Sequence, residues 1–106
     1  MLLGTRNYAQ NDVRKIVINY CDWLLQGYVL SGVTASITPA TATSTVAAPT
    51  LDPTEKIAFV PLTCGGVNET FTLNIQATDT FGQIIHDQIN VNVGDVDETI
   101  NFVIGR

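Results

Sequence analysis

The stretch "FTLNIQATDTFGQIIHDQINVNVG", residues 71–94, decides the fold. Its first half alternates without a break. Phe71, Leu73, Ile75 and Ala77 point one way, while Thr72, Asn74, Gln76 and Thr78, with Thr70 before them, point the other. A period of two belongs to a β-strand with one buried face. "DTFGQ" then interrupts the pattern, with Asp79 opening a turn and Gly82 supplying a left-handed residue. Beyond it Ile85, Ile89, Val91 and Val93 face a core, and His86, Gln88, Asn90 and Asn92 face water. Two such runs around a short turn make a β-hairpin.

The same period recurs upstream. From Val13, residues Ile16, Ile18 and Tyr20 share one face, with Lys15 and Asn19 on the other. "CDWLLQG" breaks the run into a helical turn or bend that Gly27 closes. A second strand follows in "YVLSGVTASITP", with Val29, Val33, Ala35 and Ile37 inward and Pro39 as its stop. Thr43–Ala48, between Pro39 and Pro49, reads as a short edge strand, and "TEKIAFVPL" as a fourth. Gly65-Gly66 between alternating runs predicts a hairpin. After Gly94, Asp95 to Glu98 form an acidic bend, and "TINFVIG" is a last strand with Ile100, Phe102 and Ile104 on one face. Residues 1–12 show no period and read as an extended arm carrying Tyr8, whose removal should leave the fold intact but abolish assembly. The expectation is an all-β, immunoglobulin-like antiparallel β-sandwich of about seven strands. It divides into an N-terminal arm (1–12), the sandwich (13–94) and a C-terminal extension strand (95–106).

Composition narrows the function. Hydrophobic residues make up 45% of the 106 residues and charged ones only 14%. A surface so poor in charge is expected to meet other protein. A formal net charge of −5 argues against nucleic acid as a partner. No apolar run is long enough to span a membrane, and "MLLGTRNYAQND" offers no apolar core of a signal peptide.

Candidate chemistry is sparse. His86 is the single histidine and falls on a polar strand face, with neither a nucleophile nor metal-ligating companions in its pattern. Cys21 and Cys64 could pair across a sandwich, but read first as reduced, mostly buried thiols. Asp95, Asp97 and Glu98 read as a solvated turn rather than a calcium loop, since Gly94 precedes the acids and no second acidic loop follows. Asn68-Glu69-Thr70 fits a glycosylation sequon and reads as a turn. Tyr8, Tyr20 and Tyr28 are scattered and suggest no sugar-stacking platform. No catalytic residue, cofactor site or metal site is expected. Trp23 stands out in the bend after the first strand, either as a plug on the end of the core or as an interface residue.

Several of these motifs occur in a familiar order. An Asn/Asp-rich start leads to Asp22-Trp23-Leu24, then Gly27, Gly65-Gly66, "FTLNIQATDT" and "FGQ" before "DQINVNV". Over about residues 12–93 the chain resembles the immunoglobulin-like virion proteins of tailed bacteriophages, of the fiber–tail adaptor type. It departs from them in running on past the V-x-V through "GDVDETINFVIGR". The resemblance implies a non-enzymatic virion protein, made in the host cytoplasm, that links tail and fiber or neck subunits and is a homo-oligomer in the particle. A capsid decoration protein, or a ligand- or carbohydrate-binding adhesion module, is the alternative. On this reading the interface candidates are Tyr8, Trp23, Ile100, Phe102 and Ile104.

Overall fold

A computed structural model describes residues 1–94 and 103–106. Among the described residues, nine strands form two sheets: β1 (Leu2–Ala9), β2 (Val13–Asn19), β3 (Leu30–Thr38), β4 (Thr45–Val46), β5 (Thr50–Leu51), β6 (Ile57–Thr63), β7 (Glu69–Asp79), β8 (Ile84–Gly94) and β9 (Ile104–Gly105). The first sheet runs β1-β8-β7-β3. The second runs β4-β6-β2-β9, with β5 also on β6. This is the immunoglobulin-like division, with β2 and β6 of one sheet facing β3, β7 and β8 of the other.

The hairpin read from the sequence is the spine of the first sheet. β7 and β8 pair antiparallel from Glu69↔Val93 to Thr78↔Ile84. Their inward side chains, Phe71, Leu73, Ile75, Ala77, Ile89, Val91 and Val93, are all buried. From the second sheet Ile16, Ile18, Ala58, Val60 and Leu62 meet them, and Tyr20 fills the end of the core. On β6 the inward phase belongs to Ala58, Val60 and Leu62, so Ile57, Phe59 and Pro61 lie on the outer side. A register shift between Leu30 and Gly32 puts Leu30, rather than Val29, in the core.

Three expectations are corrected. Residues 1–12 are not an arm, because Leu2–Ala9 forms the strand β1 parallel to β8, with Tyr8 opposite Val93 and 2% exposed. The segment is aperiodic because an edge strand at a sandwich margin alternates poorly: among its residues only Tyr8 is buried. The sandwich is also not purely antiparallel, since β1–β8 and β2–β9 are parallel pairs. Finally, Gly65-Gly66 closes no hairpin. β6 and β7 belong to opposite sheets, and the glycines serve a close approach. A Cβ on Gly65 would collide with the Thr43 side chain, while the Gly65 N–H donates to Ser44 Oγ (2.9 Å) and its carbonyl accepts from Asn11 N (3.0 Å). Gly82, by contrast, does take the left-handed φ of +81° that its turn needs.

On β8 one buried residue breaks the apolar pattern. Asp87 lies in the inward phase of β8 between Ile85 and Ile89, with its side chain fully inaccessible. Arg106, at the end of β9 in the opposite sheet, donates through Nε to both carboxylate oxygens at 3.0 and 2.9 Å. The amino group of Met1 lies 3.6 Å away. β9 is thereby held in cis beside β2, with Ile104 opposite Ile18 and the Arg106 N–H on Asn19 O (2.8 Å).

Two outcomes follow. Deleting residues 1–9 strips β8 of its neighbour and removes Tyr8 from the core, so thermal unfolding should shift down markedly; an unchanged melting temperature would return the segment to the status of an arm. Arg106→Ala strands a buried carboxylate and should cost about 3 kcal/mol in urea unfolding. The paired change Asp87→Leu with Arg106→Leu should recover most of that loss.

Candidate interaction surface at the loop end

Three connections converge on one end of the sandwich: β2–β3 (20–29), β5–β6 (52–56) and β7–β8 (80–83). Backbone bonds tie them together, Tyr20 N to Lys56 O (2.9 Å), Leu30 N to Glu55 O (2.8 Å) and Thr80 N to Val29 O (3.0 Å). The first connection begins as a tight turn in which the N–H groups of Trp23 and Leu24 both donate to Tyr20 O, each at 3.0 Å. That turn folds Trp23 back edge-on to Tyr20, with ring centroids 6.1 Å apart at 70°. Trp23 and Leu24 are half-buried against the core, so Trp23 acts as the plug. Tyr20 beneath it is fully buried, and among the described residues its hydroxyl has no hydrogen-bond partner. Burial first, and the nearby Asp87 carboxylate second, push the phenol well above its ordinary range against the opposing pull of Arg106.

Beyond the plug the surface turns apolar. Tyr28 and Phe81 stack across the two outer connections, with centroids 4.1 Å apart and planes at 22°. Phe81 is 67% exposed, and Leu25 and Ile84 are exposed as well. The stack has a firm base. Asp79 Oδ1 accepts from the N–H groups of Phe81 and Gln83, both at 2.9 Å, and fixes the turn. On the neighbouring turn Asp52 Oδ1 accepts from Lys56 N (3.1 Å) and Ile57 N (3.0 Å), and Oδ2 from the Thr54 hydroxyl (2.5 Å). The Thr54 bond chiefly, helped by the backbone donors and opposed by desolvation, holds the Asp52 carboxyl below its usual 3.8.

The residues singled out from sequence do not assemble here. Tyr8 is buried in the core with the Arg14 guanidinium 5.2 Å from its ring centre, which removes it from any free surface. Ile104 is 7% exposed and packs into the core, so it is not an interface residue either. Ile100, Phe102 and the acids Asp95, Asp97 and Glu98 lie outside the described residues. His86 is exposed on a polar strand face, and the two cysteines are not joined to each other, Cys64 being buried and Cys21 exposed. Among the described residues no group of three His, Cys, Asp or Glu could hold a metal, and no helix is long and apolar enough to cross a membrane. What sequence reading missed was the Tyr28–Phe81 stack. Its signal was present, because a phenylalanine at the apex of "DTFGQ" occupies a position that small and polar residues usually take.

No family model matches the chain, and no curated protein matches it. Among solved structures it is similar to a 2,6-sialyltransferase of Photobacterium sp. JT-ISH-224, solved with CMP and lactose, at 10% identity and a TM-score of 0.55. The match covers 89% of this chain but 17% of that one, so the chain spans under a fifth of that protein's length. At that identity the likeness shows the β-sandwich fold alone.

The depressed Asp52 carboxyl gives a pH test. Its stabilisation is present above 3.8 and is lost as pH falls through its lower folded value. Asp52→Asn should therefore melt below the wild type at neutral pH, with the gap closing in acid. A gap that persists at full size far into acid would mean the ionised form is not what holds the turn.

Proposed function

We propose that the protein is a non-enzymatic structural component of a tailed-bacteriophage virion, an adaptor that joins tail and fiber or neck subunits by protein–protein contact. The ordered motifs from Asp22-Trp23-Leu24 to "DQINVNV" motivate the virion reading. The observation that carries the contact reading is the Tyr28–Phe81 stack, in which Phe81 stands exposed on the β7–β8 turn against a half-buried Tyr28, with Leu25 exposed on the same connection as Tyr28. Rigid aromatic anchors of this kind concentrate binding energy in protein interfaces, because little conformational entropy is lost when they dock. In immunoglobulin variable domains the corresponding two loops at one end of the sandwich are binding loops. Its partners are other virion proteins, copies follow the symmetry of the particle, and the mature location is the virion after synthesis in the host cytoplasm.

Phe81→Ala supplies the test. The side chain is mostly solvent-exposed, so folding stability should change by less than about 1 kcal/mol. Partner binding should weaken at least ~30-fold, the effect of losing an interface hot spot of about 2 kcal/mol. In particles produced with the variant, the chain and the component it links should be missing from purified virions. Wild-type levels of both would overturn the assignment of this end, and absence of the wild-type chain from purified virions would overturn the virion reading itself.

A further inference from the structure

The outer face of the first sheet is built differently from the loop end. Its side chains stand in rows across the strands: Thr70–Asn92–Asn7, then Thr38–Thr72–Asn90–Thr5, Ser36–Asn74–Gln88 and Thr34–Gln76–His86. None of these positions is charged at neutral pH when His86 is neutral. The charged residues of these four strands, Arg6, Glu69, Asp79 and Asp87, all fall in the inward phase. Neighbouring amides and hydroxyls hold one another in place. Asn74 donates to Thr38 Oγ1 (2.6 Å) and accepts from Gln88 Nε2 (3.3 Å), and Asn92 donates to Asn7 Oδ1 (3.0 Å).

A concavity of about 530 Å³ lies over the last two rows, lined by the polar side chains of Thr34, Ser36, Asn74, Gln76, His86 and Gln88 and also by Met1, Ala35, Ile75 and Asp87, the Met1 amino group and Asp87 carboxylate being 3.6 Å apart. That volume is within the ~300–1,000 Å³ typical of small-ligand sites. Asn74 and Gln88 are oriented by the bonds just described. Among the described residues, the side chains of Thr34, Ser36, Gln76 and His86 make no hydrogen bond, and all four remain available to a ligand.

We infer that this concavity binds a neutral oligosaccharide. Its inventory of amides, hydroxyls and one imidazole matches a polyol, whose hydroxyls both donate and accept. Nucleic acid needs several cations, and the cation among the lining residues is the Met1 amino group, set 3.6 Å from the Asp87 carboxylate. A protein partner needs an apolar centre, and Ile84 and Leu2 sit only at the margins of the rows. A metal ion needs free carboxylates, and the carboxylate residue among the lining, Asp87, is already bonded by Arg106 through both oxygens. With no Trp, Tyr or Phe ring in the concavity a single site binds weakly, and repeated copies in an assembly supply avidity.

The test is a titration of the ¹⁵N-labelled full chain with tetramers of α-glucose, β-glucose, mannose, galactose and N-acetylglucosamine. A sulfated oligosaccharide serves as the charged control. At least one neutral tetramer should shift the amide resonances of Thr34, Ser36, Asn74, Gln76, His86 and Gln88, saturating in the millimolar range. Gln76→Ala should weaken that binding roughly tenfold, the usual effect of leaving hydrogen-bond partners unpaired. Should that variant lose its spectral dispersion, His86→Ala, changed at an exposed position, takes its place. Phe81→Ala should leave the binding unchanged, which separates this site from the loop end. No shift from any neutral tetramer at about 20 mM overturns the inference. So would equal shifts by the sulfated control, shifts confined to the loop end, or shifts unaltered in both concavity variants.

Discussion

A single carboxylate sets the terms on which this sandwich closes. Asp87 projects from β8 into a core otherwise filled by aliphatic and aromatic side chains, where an unpaired charge costs several kcal/mol. Net stability of a domain this size is of order 5–15 kcal/mol, so the charge must be met. Arg106 meets it from the other sheet, and can do so only when β9 lies beside β2 with Ile104 opposite Ile18. A hydrophobic pair could stabilise the core as well or better. What the ion pair adds is selectivity: a slipped or absent C-terminal strand leaves a buried charge, whereas a slipped aliphatic strand loses only some contact. A strand paired over two residues, too short to define its own register by hydrogen bonds, is specified by one electrostatic contact across the core.

The hairpin of β7 and β8 was legible because both strands have one wet and one dry face over eleven residues, so period and burial agree. The first strand, Val13–Asn19, was legible for the same reason. Leu2–Ala9 was not. Its order comes from a parallel partner more than eighty residues away, and no local pattern announces such a pairing. Gly65-Gly66 misled because glycine answers two demands, positive φ and absence of a Cβ, and here the second applied. Asp87 was overlooked although its position in the alternation was plain: a carboxylate in phase with Ile85 and Ile89 asks for a cation, and Arg106 was one of only five basic residues available.

The candidate surfaces divide along similar lines. Trp23 drew notice as the single tryptophan, yet a side chain that large in a short connection gains more by covering Tyr20 than by facing water. Burial turned it into the support of the loop end, and the exposed role passed to Tyr28 and Phe81 on either side of a gap that sequence distance hides. The polar face, by contrast, was readable as a list of outward Thr, Asn and Gln residues. Its neutrality across four strands became visible only when β1 joined the sheet and Arg6 proved to share the phase of Val91, away from that face.

Both surfaces are carried by the same hairpin, and this limits how independent they can be. Gln76 and His86 face each other across β7 and β8, and Thr78 and Ile84 make the next row before the turn that carries Phe81. Between them stands Asp79, buried, bonded to the turn through its carboxylate and, through its carbonyl, accepting from Ser31 Oγ on β3 at 2.9 Å. A hairpin anchored at that point moves as one piece, so force applied at the aromatic tip is delivered to β3, β8 and the polar face rather than absorbed in a loop. For the adaptor role proposed above, that stiffness would matter more than affinity at either surface. It fixes the distance and angle between whatever the two surfaces hold, and it does so with inward-facing groups, leaving the outward face free of charge.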